Sequence, residues 1–159
     1  RKLFAYPQVW LVIFAGLAFL AGRIVPMPAA PLPGWALVAA GLALMAVAAV
    51  TMLRAGATVD PTRHPTALVT HGIFRLTRNP IYLGDLLIVA GLCLVWQPLA
   101  ALVLVPGFLL VIDRMFIRQE EAWLRARDAA GFEAWAARTR RWLNSSATRQ
   151  NQIAVAKAR

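Results

Sequence analysis

Acidic residues are scarce in this chain: seven Asp and Glu stand against 17 Lys and Arg over 159 residues. Charged residues of both signs make up only 15%, and 60% are hydrophobic, whereas a soluble domain runs nearer half apolar and a quarter charged. An ordinary water-soluble globular fold is thereby excluded. With one cysteine, Cys93, no disulfide framework can form, and with only two histidines, His64 and His71, there is no metal-ligand spacing. Cys93 falls inside an apolar run and reads as a packing residue.

Long hydrophobic runs are what the chain has instead. Mean hydropathy is +0.61, and a bilayer core takes about 20 apolar residues per helix. Four stretches answer to this, residues 9–21, 35–53, 81–96 and 99–117, of which the first is the shortest. The expected fold is all-α: an integral membrane protein with about four transmembrane helices. A secretory signal is the weaker reading of the first run, because no small-x-small cleavage site leads into a polar mature domain.

Punctuation between the runs sets the organisation. The proline-rich residues 26–34 cannot sustain helix and read as a short external connection. Alanines and glycines along the second helix suit close packing. Only Gln97 and Pro98 separate the third and fourth helices, which makes them an antiparallel hairpin, and Pro106 predicts a kink in the fourth. Beyond Ile117 the pattern turns amphipathic. Gly131 is expected to interrupt it, and residues 132–143 to form an interfacial helix with snorkelling arginines. Residues 1–143 read as a single domain, and the polar tail 144–159 as disordered.

Net charge is +10 with a pI near 11.6, yet the placement of the charges points away from nucleic acid. Arg1 and Lys2 precede the first helix; Arg54, Arg63, Arg75 and Arg78 lie between the second and third; every basic residue from Arg114 onward lies in or beyond the fourth. Only Arg23 falls on the other side. The positive-inside rule then puts both termini and the 54–80 loop in the cytoplasm, where basic flanks favour anionic lipid headgroups. Membrane lipids are the expected surroundings, and a bacterial inner membrane the expected location.

Two clusters carry more chemistry than spanning requires. In the first, Pro80 starts a helix whose N-terminal N–H groups and partial positive charge suit a carboxylate or phosphate, and Arg78 adds a charge-assisted contact. Asn79, Tyr82, Gly84 and Arg75 surround it. In the second, Glu120 and Glu121 point about 100° apart on a helix, so one is expected to face the arginines. Snorkelling arginines and surface ion pairs are the plain alternative for both clusters. Asp85 and Asp113 are acids in or beside membrane segments, where charge is costly; Asp85 is expected to pair with Arg78 or Arg114.

The segment GIFRLTRNPIYLG, from Gly72 to Gly84, resembles the G-x-Y-x-x-x-R-H-P-x-Y-x-G signature of the isoprenylcysteine carboxyl methyltransferase and phospholipid methyltransferase superfamily. Glu120, Glu121 and Leu124 after the hairpin, and Arg141, Trp142 and Leu143 at its far end, are similar to the same family, over roughly residues 54–143. The resemblance implies a membrane-embedded methyltransferase that uses S-adenosyl-L-methionine, with a lipophilic or small acceptor (a lipid amine, carboxylate or thiol) entering from the bilayer. It implies a cofactor site of Arg78, Asn79, Pro80, Tyr82, Gly84, Glu120 and Glu121, supported by Gly72 and Arg75, with His64, Leu68, Val69 and Thr70 toward the adenosine. Glu121, Tyr82 and Asp85 are the candidate catalytic residues. Phe74 and Asn79 depart from the usual Tyr and His, so imidazole titration has no part at position 79. Methyl transfer from a sulfonium needs positioning and exclusion of water rather than a metal or covalent nucleophile. Asn79, Tyr82, Leu83, Gly84 and Asp85 also resemble part of a sterol-reductase motif, which implies NADPH instead. A non-enzymatic lipid-binding protein is the third class.

Overall fold

The computed structural model describes residues 2–143; the tail expected to be disordered lies outside them. Its helices are α1 (Pro7–Ile24), α2 (Pro31–Arg54), α3 (Pro80–Trp96), α4 (Ala101–Ile112), α5 (Arg118–Arg127) and α6 (Ala129–Arg138), with no strand among the described residues. Three stretches are long and apolar enough to cross a membrane: α1, α2 and Pro98–Arg127, which takes in α4 and α5. The short apolar helix is α3, with 17 residues, and not the first, which Pro7 starts two residues before the expected run. All-α membrane architecture is as the hydropathy predicts.

Prolines begin these helices more often than they break them. Pro31 and Pro33 lie inside the first turn of α2, where a missing N–H costs nothing because that turn has no partner for it. The helix therefore consumes part of the 26–34 stretch expected to be non-helical. At the other end of the bundle's loops, Gln97 donates from Nε2 to the Val25 carbonyl and accepts from Leu99 N, tying the α1–α2 connection to the α3–α4 turn.

Packing centres on α3. Buried on α2 are Gly34, Gly41 and Ala48, one every seventh residue, and two of them face Gly91 and Gly84 of α3. A Cβ added to Gly41 would lie 2.5 Å from the Gly84 carbonyl oxygen, and one on Gly91 only 2.4 Å from that of Gly34. Helices in lipid have no water to expel between them, so this backbone-to-backbone approach supplies the attraction. The opposite side of α3 meets α1 and α4 through Tyr82, Val89 and Cys93 against Phe14, Ala18, Phe108 and Ile112. Outward faces stay apolar: Leu32 is 83% exposed and Leu102 75%, which suits lipid and not water.

Past α4 the helix does not simply continue. Residues Asp113–Ile117 adopt a π turn before α5, and Asp113 is buried there. Pro106 lies seven residues earlier, within α4. The break between α5 and α6 falls at Asp128 rather than Gly131, because the Asp128 carboxylate caps α6 by accepting from Gly131 N at 2.9 Å. α6 thus starts and ends earlier than the expected 132–143, and it seats Phe132 and Trp135 against Val69, Phe74 and Leu124.

Candidate active site

The site forms where the 55–79 loop meets the first turn of α3. Gly72 opens a 3₁₀ turn, Gly72–Arg75, at φ +61°, a conformation that L side chains rarely adopt. Phe74 then turns inward, and its carbonyl accepts from Trp135 Nε1 at 2.9 Å. Thr77 Oγ1 and Asn79 Nδ2 both donate to the Arg141 carbonyl, at 3.2 and 3.0 Å, while Arg78 N donates to the Arg140 carbonyl. The segment after α6 is thereby laid along residues 77–79. With its amide so occupied, Asn79 does not cap α3, and Pro80 follows at the first helical position. The N–H groups of Ile81 and Tyr82 are left without a capping side chain.

Ion pairs fasten this junction to α5. Arg78 reaches Glu121 at 3.2 Å, and Arg141 grips both oxygens of Glu121 at 3.0 and 2.7 Å while a third nitrogen meets Asp113 at 2.7 Å. Asp113 also pairs with Arg118. Burial pulls the Arg78 guanidinium below its ordinary value, with Glu121 acting in the opposite sense, while the hydrogen bond to Glu121 raises Arg141. Phe132 stacks beneath Arg78, ring centroid 5.9 Å away. Even so, Arg78 Nε is buried without a partner among the described residues.

Glu121 is thus the acid that meets the arginines. Glu120, a third of a turn away, accepts instead from Tyr82 Oη at 3.0 Å. Arg78, Asn79, Pro80, Tyr82 and Glu120 line one cleft together with Phe74, Ile81 and Trp123. Its far wall is Thr58, Val59, Asp60, Pro61, Arg63 and Pro65, of which only Arg63 stands out in the sequence, and that for its charge alone. Asp60 accepts from both Thr62 N and Thr62 Oγ1, and these bonds hold its carboxyl below the ordinary range. The cleft encloses about 70 Å³.

Other expected site residues lie elsewhere. Gly84 packs on Met45 and Gly41 of α2. Asp85 is fully buried, and neither oxygen has a hydrogen-bond partner among the described residues, so the expected pairing with Arg78 or Arg114 is not made. Val69 and Leu68 pack in the cluster around Phe132; Thr70 is half-buried near them, and Gly72 and Arg75 are exposed. His64 stacks on Trp123 with centroids 4.4 Å apart, outside the cleft lining. Glu121 itself is fully engaged by arginines behind the cleft. Trp123, which reasoning from sequence left as part of an amphipathic pattern, is a wall of the site.

In donor set the cleft is bipolar. An arginine and an uncapped helix N-terminus sit at one part, a carboxylate at another, and aromatic faces between. That combination fits a zwitterionic ligand carrying a flat ring: anion to Arg78 and α3, cation to Glu120, ring to Trp123 or Phe74. A family model of phospholipid methyltransferases matches residues 30–127, more than half of the chain. The match takes in α2, upstream of the resemblance seen in the sequence, and stops before Arg141. Comparison with curated proteins and with solved structures gives no match.

Proposed function

The chain belongs to the phospholipid methyltransferase family, a family of membrane methyltransferases, and from that premise we propose that it transfers a methyl group from S-adenosyl-L-methionine to a lipophilic acceptor. The observation that carries the reading is the bipolar cleft: Arg78 and the Glu120–Tyr82 pair line the same space. Arg78 and the first turn of α3 would hold the cofactor carboxylate, Glu120 its ammonium or sulfonium charge, and Trp123 its adenine. When bound, the cofactor supplies an already activated methyl group.

The chain's own part is therefore positioning and proton handling. Tyr82 holds one oxygen of Glu120, leaving the other to take the proton that an acceptor amine, thiol or acid gives up. Glu120 replaces Glu121 and Asp85 in this role, since Glu121 is saturated by two arginines and Asp85 lies off the cleft. Glu121 and Arg141 fix Arg78. With the basic loop and both termini on the cytoplasmic side, as the positive-inside rule would have them, the cofactor would come from the cytosol. Gly84 and Asp85, two residues of the reductase-like motif, do not line the cleft, and NADPH is the weaker candidate.

Titration calorimetry on the purified protein tests this. S-Adenosylmethionine or its demethylated product binds with Kd near 1 μM, about −8 kcal/mol, and Arg78→Ala weakens binding at least about tenfold. Binding of NADPH with no binding of either sulfur compound overturns the reading. Methyl transfer from labelled cofactor into a lipid extract, followed by identification of the labelled product, then names the acceptor.

A further inference from the structure

A second cavity, of about 280 Å³, adjoins the cleft and shares Pro61 and Trp123 with it. Its remaining apolar walls are Phe4 and Ala5 just before α1, and Met115 and Phe116 in the π turn. Thr62 and Gln119 are its polar contributors, and no Asp, Glu, Lys or Arg among the described residues lines it. The neighbouring cleft, by contrast, is lined by Asp60, Arg63, Arg78 and Glu120. Across the partition, Phe116 stands 6.2 Å, ring to ring, from Tyr82. The charged space suits a charged cofactor, and the uncharged space beside it suits an apolar ligand.

Depth decides what kind of apolar ligand. Phe4 precedes the first turn of α1, and the π turn lies where the apolar α4 gives way to the charged α5. Both mark the level at which the chain leaves the hydrocarbon. Phe4 is 47% exposed and Met115 46%, so the mouth is rimmed by exposed apolar side chains. Residues 86–96 and Pro106, deeper in the bundle, line neither cavity.

Resting on the methyltransferase reading above, we infer that this cavity is the acceptor site and that the acceptor is a short-headed amphiphile without a phosphate. Its nucleophile reaches past Trp123 at headgroup depth, and its chain leaves between Phe4 and Met115 into the bilayer. A phosphodiester beside the nucleophile would meet no cation among the described walls of the cavity, and so would lack the charge-assisted contact by which phosphates are held.

The test is photolabelling of detergent-solubilised full-length protein with a dodecanethiol that carries a diazirine near the thiol, with labelled peptides mapped by mass spectrometry. Label is expected on Phe4, Ala5, Met115 or Phe116, competed by plain dodecanethiol and not by phosphatidylethanolamine vesicles. Ala5→Phe, which fills the cavity from its edge, should cut labelling about tenfold while affinity for S-adenosylhomocysteine stays within about twofold. Label confined to residues 86–96 or to the surroundings of Pro106 overturns the site, and equal competition by phosphatidylethanolamine overturns the substrate class. Labelling as expected without any binding of S-adenosylhomocysteine removes the methyltransferase reading and leaves the cavity an amphiphile site. Cofactor binding with label elsewhere removes this inference alone.

Discussion

Arg141 joins three parts of the chain through one planar group. Its fork takes Glu121 on two nitrogens and Asp113 on the third, and its carbonyl receives Thr77 and Asn79. A lysine carries the same charge but cannot make that fork. The side chain is 32% exposed, so solvent screens part of the interaction, and Arg141→Lys is expected to lower stability by only about 1–2 kcal/mol. Its larger effect falls on the site, because a loosened Glu121 no longer fixes Arg78. Chemical denaturation in detergent alongside cofactor titration checks both; an unchanged cofactor Kd would leave Arg141 a purely structural residue. Arg78, Glu121 and the Arg-Trp-Leu ending were all legible in the sequence, since each belongs to a pattern with fixed spacing. The pairing of Tyr82 with Glu120 was not, because the two lie 38 residues apart and only the hairpin and its π turn set which acid faces which partner. Nor did the sequence disclose Trp123, whose role follows from the loop folding over α5.

Among the elements, the contact of α2 with α3 depends on the absence of side chains. Every seventh residue of α2 is Gly34, Gly41 or Ala48, and the helices approach until the glycine carbonyls of one stand against the Cα atoms of the other. Gly41→Ala would place a methyl 2.5 Å from the Gly84 oxygen, and both backbones would have to move. Overpacking of this kind costs roughly 1–3 kcal/mol. Gly16→Ala, on α1 with nothing within 4 Å of the added methyl, is the matched control and should leave the unfolding midpoint unchanged. Equal midpoints for the two variants would argue against a glycine-mediated contact. The small residues of α2 were readable as a packing stripe, and hydropathy located all four apolar helices. Their ends were less legible. Pro31 and Pro33 look like breakers to a reader of the sequence, although a helix start tolerates them, and the α5–α6 break went to the capping side chain of Asp128 rather than to Gly131.

For the molecule as a whole, the size of the cleft sets a condition on its use. At about 70 Å³ it is well short of the roughly 300 Å³ at which small-molecule sites begin, so admitting a nucleoside cofactor requires one wall to yield. The α3 wall is pinned by the glycine contact with α2, and the α5 wall by the ion pairs of Glu121. Residues 58–66 have lighter fastenings. Asp60 and Thr58 bond within the loop itself, Thr66 Oγ1 donates to the Gly56 carbonyl, and the links to α5 are the His64–Trp123 stack and a long 3.4 Å bond from Arg127 to the Pro65 carbonyl. On the proposed reading, the loop is therefore the wall expected to move, opening for entry and closing again over the cofactor. Hydrogen exchange should show amides 58–66 exchanging fast in the free protein and slowing on addition of S-adenosylhomocysteine, while those of α2 and α3 exchange slowly in both states. Protection appearing instead along α5, with residues 58–66 unaltered, would assign the motion to the helix that carries Glu120 and Trp123, and the ion pairs of Glu121 would then have to break and re-form with each turnover.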